Sequence, residues 1–128
     1  MSAMSDYLEN EILDHILGTG SYTMPSNVYI ALSTGSFGDD NSGTELSGSG
    51  YARQAITFAA ASSASAASNA TVTFPTATGS WGAISHYGIY DASTSGNLLI
   101  HGAFAASKTI GSGDVLRVNS GDLTVTAA

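Results

Sequence analysis

The stretch WGAISHYGIYDASTSGNLLIHGAF, residues 81–104, decides the fold class, because it contains two strand-like segments on either side of one turn. Residues 84–91 and 97–104 are rich in aliphatic and aromatic side chains, and the short sequence ASTSG joins them. This pattern is typical of two β-strands in one hairpin. The stretch also holds the only Trp and two of the three His residues of the chain, so it is either a catalytic or binding centre or a piece of scaffold.

The pairing register of this hairpin decides which of its side chains share a face. In an antiparallel pair the numbers of facing residues have a constant sum, and a slip of one residue exchanges the two faces. An even sum brings Tyr87 to Leu99 and His101, whereas an odd sum groups the apolar side chains better, and we prefer the odd sum. It predicts an apolar face made of Tyr87, Ile89, Leu98, Ile100 and Phe104, and a polar-aromatic face made of His86, Tyr90 and His101.

Similar strand-like segments fill most of the chain after the N-terminal region. Short apolar or alternating segments are separated by Gly, Ser, Asp and Asn, which favour turns. We predict strands at 27–34, 51–59, 70–75, 84–91, 97–104, 114–120 and 122–127. A long polar loop occupies 35–50, and an Ala- and Ser-rich connector occupies 59–69. About seven short strands at this spacing indicate an antiparallel β-sandwich or a small β-barrel.

The N-terminal segment has the period of a helix. Five apolar residues recur at helical intervals, namely Leu8, Ile12, Leu13, Ile16 and Leu17. Asp6 is a suitable N-cap with Glu9 at the capping-box spacing, and Gly18 is suited to end the helix. Because so short a helix is marginally stable alone, we expect it to dock on the β-fold or on a neighbouring protein.

Length and composition limit the organisation of the chain. Its 128 residues are the size of one domain. We therefore predict a single mainly-β domain over 1–128, with an N-terminal α-helix in 1–18 and the β-sandwich in 27–128. Only 10% of the residues are charged, against about 25% in ordinary soluble domains. Because interface cores are poor in Lys and Glu, this composition is typical of a chain with permanent protein neighbours.

The charge balance argues against nucleic-acid binding. The net charge is −7, and the three basic residues, Arg53, Lys108 and Arg117, are scattered along the sequence, whereas phosphate binding needs clustered Lys and Arg. The N-terminus lacks the basic and then apolar pattern of a secretory signal, and no apolar run is long enough for a membrane span. We expect no nucleic-acid partner and no membrane partner, and synthesis in a cytoplasm.

No arrangement of residues predicts catalysis. Each of His15, His86 and His101 could be paired with one of the many Ser residues, but the sequence has no G-x-S-x-G nucleophile elbow. The two hairpin His residues would need a third ligand to hold zinc or iron, and none is evident. We predict that the protein is not an enzyme, with no catalytic residue and no cofactor.

The loop sequence GDDNSGTE contains oxygen ligands of the kind that calcium prefers, namely Asp39, Asp40, Asn41 and Glu45. Their spacing does not match the EF-hand pattern, which needs acids at alternate positions and a terminal Glu. A solvated acidic turn explains the same residues, so we predict no metal site in this loop.

Four segments in this order resemble a family of small virion proteins of tailed bacteriophages. They are SDYLENEILDHILGTGSYTMPSNVYIALST, GTELSGSGYARQAITF, VTFPTATGSWGAISHYGIYDASTSGNLLIHGAF and SGDVLRVNSGDLTVT. Proteins of this kind usually carry a tail-fibre or minor-tail label, and the chain is also similar to capsid decoration (cement) proteins, some of which have β-sandwich or tulip-like folds. The resemblance implies no catalytic residues.

Together, the residues and the resemblance favour a non-enzymatic capsid decoration protein on the outer surface of the virion, made in the host cytoplasm. It would bind the major capsid protein or other virion proteins and stabilise the head through many simultaneous contacts. We also expect a homo-oligomer, either a dimer or a trimer. The alternative is a tail fibre or minor tail protein, present in few copies. A remote alternative is a carbohydrate-binding module or small hydrolase that uses the loop 35–50.

Candidate interface residues lie in three places: the helix (Tyr7, Leu8, Ile12), the SYTMP turn (Tyr22, Met24) and the hairpin (Tyr87, Tyr90). Aromatic residues and Met are enriched in protein interfaces, which is the reason for choosing them. For each of these residues the alternative is that it packs in the chain's own core.

Overall fold

The computed structural model describes residues 2–127, which form one α-helix and nine β-strands. In chain order they are β1 (Ser2–Met4), α1 (Asp6–Ile16), β2 (Val28–Ser33), β3 (Gln54–Ile56), β4 (Ser65–Ala67), β5 (Val72–Thr73), β6 (Gly82–Tyr90), β7 (Leu98–Ile110), β8 (Arg117–Val118) and β9 (Thr124–Thr126). The nine strands far outweigh the single helix in residues 2–127, so the prediction of a mainly-β fold with a short N-terminal helix is confirmed.

The strands are arranged in antiparallel sheets around one main core. The largest sheet has five strands in the order β1-β7-β6-β2-β3, and two ribbons are formed by β4 with β9 and by β5 with β8. The core joins side chains of the large sheet, including Ile30, Leu32, Tyr87 and Ile89, to side chains in and around the β5–β8 ribbon, including Val72, Phe74, Leu116 and Val118. Within residues 2–127 no sheet closes into a barrel, and the arrangement is consistent with a β-sandwich.

The only Trp of the chain is part of this core. Trp81 is buried, and its ring lies edge-on to those of Tyr51 and Phe74, with centroids 5.7 and 6.5 Å away. Its indole Nε1–H donates to the backbone oxygen of Ser49 at 2.9 Å. Because a buried indole needs a partner for its N–H, this hydrogen bond attaches the loop before β3 to the start of the hairpin.

The middle of the β6–β7 hairpin has the predicted odd register. Tyr87 faces Gly102 and Ile89 faces Ile100. Tyr87 and Ile89 belong to the main core, and Ile100 packs against that core. The hydrophobic pattern therefore set the register correctly where the strands are regular.

The prediction for Leu98 is wrong because an irregularity interrupts the pairing between Ile89 and Tyr90. Beyond it, Tyr90 faces Leu98. An irregularity of one residue in the pairing exchanges the two faces of the strand for every residue beyond it. Leu98 consequently leaves the apolar face of Tyr87 and joins a second, smaller cluster formed by Ala31, Phe37, Tyr90 and Leu98.

Several strand boundaries differ from the predicted ones. Strand β7 continues to Ile110, six residues beyond the predicted end at Phe104. The Ala- and Ser-rich connector contains a strand, β4, which pairs with β9. Strand β1 pairs with β7 at the edge of the large sheet, and its three residues are too few to predict a strand.

The helix is confirmed, but its N-cap is Ser5 and not Asp6. The Oγ of Ser5 accepts a hydrogen bond from the backbone N–H of Leu8 at 3.2 Å. Asp6 is the first residue of α1 and lies, with Glu9, in the first turn, where the helix dipole favours acids. Gly18 has a positive φ of 80°, which suits the residue that follows a helix end. The helix is not long and apolar enough to cross a membrane.

Candidate assembly surfaces

The seven residues predicted for an interface fall into three groups: Leu8, Tyr87 and Tyr90 are buried, Ile12 and Tyr22 are half-buried, and Tyr7 and Met24 are exposed. The burial of the first group favours the alternative, packing in the chain's own core. An interface role for the other four stays a prediction, and Met24, which is 80% exposed, is the most accessible of them.

The outer face of α1 is apolar and has no partner within residues 2–127. Leu13, Ile16 and Leu17 are 54%, 70% and 70% exposed, although all three belong to the predicted apolar stripe. The five stripe residues spread over about half of the helix circumference at 100° per residue. The protein's own core covers only the side that carries Leu8, so the rest of the stripe faces outward.

Backbone contacts hold α1 in this orientation. Ser5 N–H donates to the backbone oxygen of Leu99 at 2.8 Å, and the Ser5 hydroxyl donates to the backbone oxygen of Leu98. Asp6 N–H donates to the backbone oxygen of Asp39 at 2.8 Å. The start of the helix is thus attached to the beginning of β7 and to the loop 35–50.

The exposed face also carries charge at its N-terminal end. Asp6 and Glu9 are exposed, and residues three and four apart are neighbours on a helix surface. Glu9 is therefore next to Leu13, and Asp6 is next to Glu9. The outer face runs from acidic at the start of α1 to apolar at its end.

A second surface lies at the other end of β7. Between the pairs Ile84–Lys108 and His86–Ala103, residues 104–107 of β7 stand opposite the single residue Ser85. This bulge bends the strand and helps to form a cleft of about 280 Å³, called the β7–β8 cleft below. It is lined by Ile84, Phe104, Ala105, Ala106, Lys108, Leu116, Arg117, Val118 and Asp122.

Two of the three basic residues of the chain are at this cleft, so the fold groups residues that are scattered in the sequence. Lys108 and Arg117 are both exposed. Neither forms an ion pair with another residue of the described range 2–127, and Arg117 makes a hydrogen bond of 3.3 Å to the Thr73 hydroxyl. The cleft is therefore a positively charged, apolar-floored site on a protein whose net charge is −7.

The possible calcium ligands Asp39, Asp40 and Asn41 of the loop 35–50 are directed at different partners and do not surround a common point. Asp39 contacts the His101 ring at 2.6 Å, Asp40 accepts from the Ser42 backbone N–H at 3.1 Å, and the Asn41 side chain accepts from the Tyr90 hydroxyl at 2.7 Å. Across residues 2–127 no group of three or more His, Cys, Asp or Glu side chains is placed to hold a metal ion. The contacts of Asp39 and Asn41 attach the loop to the sheet, whereas that of Asp40 lies within the loop.

The hairpin His residues have separate partners. His101 faces Gly88 and His86 faces Ala103, so both side chains lie on the predicted polar-aromatic face. The His86 ring nitrogen lies 2.7 Å from the Ser85 hydroxyl, whereas His101 contacts the loop 35–50. Tyr90, the third member of that face, is buried in the smaller cluster.

Arg53 forms the densest polar network of the described residues, and no motif in the sequence predicts it. Its guanidinium binds Glu45 through two hydrogen bonds of 2.9 and 2.7 Å. It also donates to the backbone oxygens of Ala92 and Ser95 at 2.9 and 2.7 Å. Because Arg presents its donors as a rigid fork, one side chain just before β3 joins the loop 35–50 to the turn between β6 and β7.

Tyr51 completes this network from the core side. Its hydroxyl donates to Glu45 at 2.5 Å and accepts from the backbone N–H of Leu32 at 3.0 Å. Burial, and then the hydrogen bond to Glu45, raise the pKa of Tyr51 well above its ordinary value. Burial also raises the pKa of Tyr87 and of Tyr90. The network serves to hold loops together, and its groups are directed at one another.

A mainly-β domain with an outward apolar helix face and an inward-directed polar network has the features of a structural subunit. Comparison with known families agrees with this class. The chain matches the family described as "Podophage GP4 fiber I protein gp80" over residues 3–126, and it belongs to that family. No curated protein matches the chain.

Membership of this family makes the protein a virion-associated phage protein, and it confirms the resemblance to small virion proteins of tailed phages. The family is named for a fibre. Membership of the family therefore supports the tail-fibre alternative better than the capsid decoration hypothesis that the sequence favours.

Proposed function

We propose that this protein is a non-enzymatic structural subunit of a podophage tail fibre, and that it joins the particle through the outer face of α1. The observation that carries the proposal is the exposure of Leu13, Ile16 and Leu17 side by side on a helix whose first residues are hydrogen-bonded to β7 and to the loop 35–50. Contiguous exposed apolar side chains on a soluble domain are typical of a protein interface.

Two further features support a structural role. The family that the chain belongs to is described by a fibre protein. The best-connected polar side chains, Arg53, Glu45 and Tyr51, link loops and strands of the same chain and so stiffen the fold. Low charge content also suits a subunit with permanent neighbours.

Counting the copies of this chain in purified particles by quantitative mass spectrometry tests the proposal. A fibre subunit is present in few copies per particle, whereas a capsid decoration protein is present in hundreds. Heat stability gives the control: particles without this chain should keep their heads intact to the same temperature as complete particles. Earlier bursting of the heads, or a copy number in the hundreds, would favour the decoration hypothesis.

A further inference from the structure

We propose that α1 of one copy of this protein docks into the β7–β8 cleft of a second copy, with Asp6 and Glu9 facing Lys108 and Arg117. The inference rests on the proposed function and deepens it, because it names a second copy of the chain as the partner of the exposed helix face. The partner is chosen by the match of shape, apolar surface and charge between the two surfaces.

The apolar parts of the two surfaces fit each other. The helix presents three aliphatic side chains, Leu13, Ile16 and Leu17, to solvent. The floor of the cleft is apolar and consists of Ile84, Phe104, Leu116 and Val118. A volume of about 280 Å³ lies below the range of about 300–1,000 Å³ that is usual for small-molecule sites. It is of a size to receive a few protruding side chains.

The charged parts are complementary. Two copies with a net charge of −7 repel each other on average. The β7–β8 cleft is the place where Lys108 and Arg117 stand together without an acidic partner in an ion pair within residues 2–127. Asp122 also lines the cleft, which leaves an excess of one positive charge. The acidic start of α1 supplies the matching negative charge at Asp6 and Glu9.

The outer face of α1 and the β7–β8 cleft do not meet within one molecule, so a contact between them joins two copies. Helix α1 is attached to β7 at Leu99, and the cleft is formed by the bulged part of β7 up to Lys108. The cleft begins at Phe104, five residues from Leu99, so at about 3.3 Å per residue the two places are roughly 17 Å apart along the strand. No residue of α1 lines the cleft, and Leu13, Ile16 and Leu17 are exposed, so the helix of a copy does not occupy the cleft of the same copy. A contact between two different patches is heterologous, and repeated contacts of this type build a ring or a filament.

Charge reversal gives a selective test with the full chain. In the helix variant, Glu9→Lys places a positive charge beside Leu13. In the cleft variant, Lys108→Glu and Arg117→Glu make the cleft negative. All three residues are exposed and take part in no ion pair of the described range, so both variants should fold. Glu11→Lys is the matched control, since it makes the same charge change away from Leu13, Ile16 and Leu17 on the helix.

Sedimentation velocity over a concentration series at low salt measures the result. The wild type and Glu11→Lys should associate, and each charge-reversal variant alone should associate at least about tenfold more weakly. An equimolar mixture of the two variants should regain association, because the unchanged helix of the cleft variant then meets the unchanged cleft of the helix variant. A wild type that stays monomeric at all concentrations, or a mixture no better than its components, would overturn the inference.

Incorporation into particles separates this inference from the proposed function. If the charge-reversal variants lose self-association but still reach the normal copy number in particles, the partner of α1 is another protein and the fibre role stands. If the wild-type chain is found in hundreds of copies, the fibre role fails whatever the result of sedimentation.

Discussion

The guanidinium of Arg53 lies 3.7 Å above the centre of the Tyr90 ring. Tyr90 is buried in the smaller cluster, where its ring is also edge-on to that of Phe37 at 5.9 Å. Arg53 thus covers an aromatic residue of the hairpin while it binds Glu45 on the loop 35–50. The cation–π contact and the bidentate ion pair of Arg53 therefore both stabilise the junction between the hairpin and the loop 35–50.

Removal of Arg53 should therefore destabilise the fold. We expect Arg53→Met to cost about 2–4 kcal/mol, because Glu45 and two backbone oxygens lose their partner in a poorly solvated place. The side chains of Arg53 and Glu45 are only 8% and 23% exposed. Urea unfolding measures the loss, and Arg117→Met, at an exposed position without an ion pair among the described residues, is the control. Equal effects of the two substitutions would contradict the role of the network.

Alkaline pH should unfold the protein more readily than neutral pH. Burial raises the pKa of Tyr87 and Tyr90 in the folded state, and burial with the hydrogen bond to Glu45 raises that of Tyr51. The three neutral Tyr side chains contribute fully to the free energy of unfolding below about pH 10, which is the pKa of Tyr in the unfolded chain. This contribution is lost as the pH rises toward the higher pKa values of the folded state. Urea midpoints should fall above about pH 10, and Tyr51→Phe should make the fall less steep. A flat profile up to pH 11 would contradict this.

Gly43 and Gly35 allow a matched test of the loop packing. A Cβ on Gly43 would overlap the backbone oxygen of Ser36 and lie 2.6 Å from Phe37 Cα, whereas a Cβ on Gly35 would meet nothing within 4 Å. We expect Gly43→Ala to cost about 2–3 kcal/mol and Gly35→Ala to be neutral or slightly stabilising. Thermal unfolding of both variants measures the difference, and comparable values would show that the loop is not packed as described.

The two sides of α1 should respond differently to truncation. Leu8 is 8% exposed, so Leu8→Ala should cost about 2–4 kcal/mol of stability. Leu13→Ala combined with Ile16→Ala should change stability by less than about 0.5 kcal/mol per site. The double variant should nevertheless be depleted from purified particles, because it lacks the contact face. Normal incorporation of this well-folded variant would remove α1 from the assembly surface.

Regular elements could be predicted from the sequence, since their signals are local. The odd register between Tyr87 and Ile89 follows from hydrophobic pattern alone. The irregularity in the pairing after Ile89 cannot be predicted in the same way, because nothing in the apolar pattern marks its position. This irregularity places Leu98 on the other face of the hairpin. The sequence predicts Asp6 as the N-cap, and it does not show the contacts with the distant β7 that hold Ser5 at the start of the helix.

The assembly surfaces were only half predictable. The apolar stripe of α1 is evident in the sequence, but which side faces outward depends on how Ser5 fixes the helix. The charged cleft could not be found, because Lys108 and Arg117 meet through the β7 bulge and the separate β5–β8 ribbon. The Arg53 network likewise joins segments that are up to 42 residues apart.

The most direct test of the central claim is the position of this chain on the particle. Immunogold labelling of purified phage with an antibody against the chain, viewed by electron microscopy, gives that position, and particles lacking the chain serve as the control. The account predicts gold on the fibres of the tail and none above the control level on the head. Gold spread over the head, with bare fibres, would contradict it.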